Sequence, residues 1–478
     1  MNFKYKNLNY FNVAAYLFFI WFALWSIFYA QARILITDPA FYLFNIINSS
    51  DFFVPGTRYT AVINQPLVLI GVKLKLPLHV LISLYSFSFV AVRFVYFVLV
   101  NHVLKNKAAG FGVIAISVVG VAQSYFRPTS ESTIAMLNSI LLYAWLCYAN
   151  RWERLGKWKE LVNFFGALIL IVFGYLTHPI ALFSLLFVIV YYAISERKLK
   201  SFFPYLMVLF TVGIFMHEVF IGSDNSHHES IYGNLISSPS SILKEIKTYY
   251  PYKFFDTRFK LLYRPLGILF LGGVVLALFR KKWMETGFFV LYSIVYFVVT
   301  CTSFKAGDSD MQMEKIFLPL VLFSAIVTVN ALVEFKINSK PILGILVVLM
   351  AVTSYAKIKG AASSYNGRIV YLKEIVEIAN KKSVRKHVIT REQLNNQRMV
   401  FNWAMGIETL MLSSMDKTME PLTVFTAPNL DEVKARMKEK DNLMVAPFYT
   451  SYNYNGLNSS YFVLQEEAYS YLDLEEEK

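Results

Sequence analysis

The stretch YFNVAAYLFFIWFALWSIFYAQARILITDPAFYLFNIIN, Tyr10 to Asn48, joins a run of apolar and aromatic residues to a segment that carries Arg33 and Asp38. The run is long enough to cross a hydrocarbon core of about 30 Å. Its basic residues lie before it, at Lys4 and Lys6, and Ala30–Ala32 follow it, so a cleaved leader and an uncleaved anchor are both on the table. The run exceeds the usual length of a signal core, which favours the anchor. The question it sets is why a carboxylate stands at the lip of the first span.

Composition carries the same message through all 478 residues: 56% are hydrophobic, 17% aromatic and only 16% charged. Such a chain is a membrane protein rather than a set of soluble domains. Cys147 and Cys301 lie inside apolar runs, which excludes a disulfide framework and a cysteine metal site. The net charge of +14 is distributed in short clusters between apolar runs, where it sets membrane orientation and indicates no nucleic-acid partner.

Runs of roughly 18 apolar residues or more, with a few shorter ones allowed, give about eleven transmembrane helices. They fall at 11–31, 78–102, 108–125, 132–149, 161–177, 179–195, 203–221, 265–279, 286–303, 316–334 and 341–356. The connecting segments alternate in charge. NHVLKNKA, NRWERLGKWKE, SERKLKS, RKKW and EFKINSK are short and basic, the mark of cytoplasmic loops. The long segments 32–77 and 222–264 then face outward, with the N-terminus inside and the tail outside. The expected fold is an all-α polytopic membrane domain, residues 1–358, followed by a small α+β extracytoplasmic domain, residues 359–478. In that second domain a helix over Asn366–Lys382 precedes strand-prone HVIT, LTVFTA and NLMVAPF.

Polar residues gather on the outward side. Asp38, followed by Pro39, reads as a helix N-cap, and its carboxylate stays accessible for chemistry. Asp51 reads as a second cap or loop residue. Arg58 opens a surface-lying amphipathic helix and suits a lipid headgroup or a substrate phosphate, as do Arg127 and Arg264. Glu131 starts an apolar helix, where its charge also favours the helix dipole. His178 at a tight corner reads as structural. The set His217, Glu218, Asp224, His227, His228 and Glu229 lacks a fixed metal motif, and Asp308, Asp310, Glu314 and Lys315 form a second acidic cluster. Arg93 is the clearest charge inside a span, a functional candidate by position.

This layout resembles the GT-C superfamily of integral membrane glycosyltransferases. The likeness rests on an acidic residue near the start of the first long outward loop, TDPAFYLFNIIN, on the surface helices around GTRYTAVINQPLVLIGVKL, and on SESTIAMLNSILLYAWL and MEKIFLPLVLF at later span entries. The resemblance implies sugar transfer from a polyprenyl-phosphate-linked donor to a glycan, lipid or protein acceptor on the periplasmic face of the inner membrane. It implies Asp38 as the base, Glu131 as an assisting carboxylate, and Arg58, Arg127, Arg264 and Lys315 as holders of the donor phosphate. Because no second acid adjoins Asp38, dependence on a divalent cation, Mg or Mn, stays open. Two other classes of function fit the sequence: a transporter or flippase of lipid-linked envelope precursors, and a noncatalytic assembly subunit.

Overall fold

The computed structural model describes residues 9–474 except 57, 130, 152–157, 222–244, 308, 336–338, 396, 400, 417, 430, 432–433, 435–436, 439 and 446–450. Eight described helices are long and apolar enough to cross a membrane: Tyr10–Phe28, Leu78–Val103, Glu131–Ala149, Trp158–Tyr175, Tyr250–Phe279, Trp283–Ser303, Asp310–Glu334 and Ser339–Asn380. Their outer faces are apolar as well. On the first helix Leu17, Ile20, Leu24 and Phe28 are all exposed at helical spacing, a stripe suited to lipid rather than water.

Three of the eleven expected spans correspond to shorter apolar helices, Lys107–Val118, Ala181–Ser195 and Phe202–His217. The first is cut short by Gly120, whose φ of +75° turns the chain where a Cβ would lie 2.6 Å from the Tyr263 ring. At the other extreme, Ser339–Asn380 runs unbroken for 42 residues, joining the expected last span to the expected first helix of the C-terminal region.

The chain leaves the first span through a short helix, Ala30–Ile34, and enters a second, Thr37–Ser49. Pro66–Lys73 and the turn Tyr59–Asn64 then lie before the next span, so the amphipathic stretch is two short elements and not a crossing. The Thr37–Ser49 helix is roofed by Met405–Met415, which also packs on the long helix.

The C-terminal region carries a three-stranded parallel sheet of order β2-β1-β5, with β1 at Lys386–Thr390, β2 at Thr423–Ala427 and β5 at Ser470–Tyr471. Met405–Met415 is the crossover between β1 and β2, as a parallel pair requires. A second sheet pairs β3, Asn442–Leu443, with β4, Tyr452–Asn453. Val388, Phe425, Ala427, Met444 and Tyr469 close a small core of their own beside the sheet.

Candidate functional site

The site is assembled in two parts, each from stretches far apart in sequence. In the first, Arg368 of the long helix donates through Nη1 to the Leu35 carbonyl at 2.7 Å, and Glu408 accepts the Thr37 N–H at 2.6 Å. Arg368 and Glu408 also form a buried ion pair. Burial raises the pKa of the Glu408 carboxyl, and Arg368 pulls it back. Thr37 itself has φ +37°, a left-handed conformation costly for a β-branched residue. Such strain persists only where neighbours over-determine the backbone, and the Glu408 carboxylate does so here.

Asp38 follows immediately. The N-cap position belongs to Ile36, and Asp38 lies in the first turn of Thr37–Ser49 without any capping hydrogen bond, which corrects the cap expected from the Asp-Pro pair. Its carboxylate is occupied tertiarily instead: Oδ2 accepts from Arg127 Nη2 at 3.0 Å, with the Asp38 side chain 41% exposed. One turn on, Tyr42 faces the same side of the helix. Its hydroxyl donates to Glu131 Oε1 at 3.2 Å. Burial, and then the charges of Glu131 and Asp38, hold the Tyr42 phenol far above its ordinary range, so it keeps the proton it donates.

The second part carries the partners. Arg127 and Glu131 stand four residues apart, and Glu131 opens its helix in the first turn as expected. Glu131 Oε2 meets Arg58 Nη1 at 3.4 Å, with Arg58 half exposed. The loop before them is held by Glu314, whose buried carboxylate accepts the N–H groups of Ala122, Gln123 and Ser124 at 2.9, 3.1 and 2.8 Å and the Ser124 hydroxyl at 2.6 Å. Asp310, from the same acidic cluster, pairs with Arg258 at 2.6 Å.

Of the six residues anticipated, Asp38, Glu131, Arg58 and Arg127 therefore converge in two interlocked pairs. Lys315 joins them from below, lining a small cavity with Arg127. Arg264 stands apart, on the wall of a much larger cavity of about 1250 Å³. Arg58 and Arg127 are engaged with carboxylates, so they differ from the free cations the sequence suggested.

The large cavity is amphipathic. Ile268, Leu269, Leu346, Leu349 and Met350 of two candidate spans give it apolar wall, and Arg258, Lys260, Arg264, Lys357, Arg368 and Arg398 line it with the carboxylates Asp310 and Glu314. Arg258 and Arg398 are paired with Asp310 and Glu374, and Lys357 donates to the Leu262 carbonyl at 2.9 Å. Lys260 and Arg264 form no ion pair among the described residues. On the side of the Asp38 site the cavity is lined by Ile36, two residues before Asp38, and by Phe401, whose ring lies 4.7 Å from the Arg127 guanidinium carbon; Asp38 and Glu131 themselves do not line it.

Tyr42, Arg368, Glu408 and Lys357 escaped the sequence reading. Only Tyr42 left a trace there, its spacing of four from Asp38. Arg93 donates to the Phe89 carbonyl at 3.3 Å and has no carboxylate partner among the described residues. The 224–229 cluster and Asp308 lie outside the described residues. Among the described residues no group of three His, Cys, Asp or Glu side chains is placed to hold a metal. A scan against protein-family models finds no match, and neither do searches of curated proteins and of solved structures.

Proposed function

We propose that the protein is a membrane glycosyltransferase that takes a sugar from a polyprenyl-phosphate-linked donor and passes it to an acceptor hydroxyl on the outward face. The observation that carries this reading is the junction of two features. A cavity with apolar walls on two candidate spans and a group of cations is lined by Ile36, two residues before a carboxylate that is partly exposed and held by Arg127. An isoprenoid tail suits the apolar wall. Its phosphate suits Arg264, Lys260 and Lys357, the first two on the Tyr250–Phe279 helix and the third on the long helix beside it.

In this reading Asp38 accepts the proton of the acceptor hydroxyl as its oxygen bonds to the anomeric carbon. The bond from that carbon to the phosphate oxygen breaks, and the departing negative charge is met by the cations of the cavity. Arg127 keeps Oδ2 in place, which leaves Oδ1 to face the acceptor. Tyr42, Glu131 and Arg58 act as positioning residues that fix the opposing loop.

Incorporation of sugar by the purified protein, with no gradient applied, tests the proposal. Asp38→Ala and Asp38→Asn are expected to lower transfer about 10²- to 10⁴-fold while the protein still inserts. Activity near wild type in both would remove Asp38 as base. The same amphipathic cavity also favours a carrier flippase; translocation of the lipid carrier without covalent product would establish that instead.

A further inference from the structure

Behind Arg127 the structure encloses a second, much smaller cavity, about 10 Å³, lined by Arg33, Arg93, Arg127 and Lys315. We propose that it is a binding site for a single monatomic anion, chloride in ordinary media. The inference is independent of whether the protein transfers sugar.

The first ground is charge. None of the residues lining the cavity is acidic, and among the described residues Arg127 alone of the four cations forms an ion pair, with Asp38. Arg33 is fully buried: Nε donates to the Tyr125 carbonyl at 3.0 Å, Nη1 to the Ser86 carbonyl at 3.1 Å and hydroxyl at 2.8 Å, and the guanidinium sits 4.3 Å from the Tyr125 ring centre. These contacts satisfy hydrogen bonds and leave the charge uncompensated. Buried charge without a counter-charge is costly.

The second ground is the kind of atom left over. Arg33 Nη2, Arg93 Nε, Arg127 Nε and the Tyr125 hydroxyl are buried and unpartnered, and all four belong to residues lining this one cavity. Each is a donor. The cavity's serines, by contrast, are already spent, Ser117 on the Val113 carbonyl and Ser124 on Glu314. A ligand that only accepts is what this surround lacks.

Size chooses among acceptors. A space of this volume admits roughly one water-sized sphere, so a phosphate or carboxylate is too large. Water fits but supplies no charge. A halide is the smallest common anion class, a little larger than water, and it matches in charge and in accepting from several donors at once. Placed there, it offsets the mutual repulsion of the four cations that line the cavity.

The test uses the purified full chain in detergent at constant ionic strength, with chloride exchanged for gluconate. Wild type is expected to gain roughly 2–4 °C in melting temperature, saturating with chloride, and bromide is expected to replace chloride. Arg93→Gln and Arg33→Gln are expected to lose that dependence. Equal melting curves in chloride and gluconate, or an unchanged chloride response in Arg93→Gln, would overturn the proposal. Should a variant fail to fold, crystals of wild type soaked in bromide decide it: an anomalous peak within reach of Arg33 Nη2 and Arg93 Nε supports the site, and its absence rejects it.

Discussion

Two groups of cations sit within one side of this molecule and differ in a single respect. At the Asp38 site each arginine meets an acid: Arg127 with Asp38, Arg58 with Glu131, and Arg368 with Glu408 just beneath. In the large cavity Arg264 and Lys260 meet none among the described residues. The difference separates groups that fix geometry from groups that await a ligand. Paired charges hold the chain still, because breaking either partner strands the other. Unpaired charges next to an apolar channel keep their full field for a visiting anion.

The sharpest way to break the comparison is to remove the acid of the most buried pair. Glu408→Ala is expected to cost about 3–5 kcal/mol, since it leaves Arg368 charged in a dry site and frees the Thr37 N–H. Denaturant or thermal unfolding measures it, and a loss within experimental error of zero would show that the pair is not structural. Activity should fall further than stability explains, because the strained Thr37 no longer aims Asp38. A smaller effect is expected on the other side of the comparison. Arg264→Gln should raise KM for the lipid donor about tenfold or more and lower kcat as well, with melting temperature nearly unchanged. A drop in stability without a change in KM would move Arg264 into the structural group.

A gentler probe separates the C-terminal sheet from both groups. His387 on β1 is buried, contacts the Ser470 hydroxyl at 3.1 Å, and has its pKa lowered from 6.5 by that burial. Below pH 6.5 the unfolded chain therefore takes up the proton before the folded one does, so stability falls as the solution is acidified. Unfolding measured from pH 7.5 to 5 should show this decline in wild type, and His387→Gln should flatten it. A decline of equal size in the variant would assign the acid sensitivity elsewhere. The smallest effect is expected for Tyr42→Phe, which removes one hydrogen bond to Glu131 and about 0.5–1.5 kcal/mol of stability.

Much of this architecture is legible in the sequence, and the illegible part has a common cause. Each of the eleven apolar runs overlaps a helix, because length and hydropathy are local properties. HVIT and LTVFTA likewise become strands. Their parallel pairing is not local, since it depends on a crossover helix between them. At the site, the acidic residue and the arginines are visible in the sequence as residue types, but the partner of Asp38 lies 89 residues away and that of Thr37 lies 371 away. The Asp-Pro pair suggested a cap because local patterns can speak only of local bonds. A carboxylate with a tertiary arginine in reach has a stronger partner than its own helix end.

The helix Ser339–Asn380 carries a final consequence. At 1.5 Å per residue its 42 residues reach about 63 Å, twice the hydrocarbon thickness, with Leu346 and Met350 on the cavity wall and Arg368 beneath the Thr37 turn. A continuous helix transmits phase as well as length. One residue inserted near Gly360 would rotate everything beyond it by about 100° and carry Arg368 away from Leu35, whereas seven would bring it back nearly to the same bearing, two turns farther along. The helix thus works as a gauge rod, tying the depth of the lipid-facing wall to the angular setting of the residue that sets Asp38.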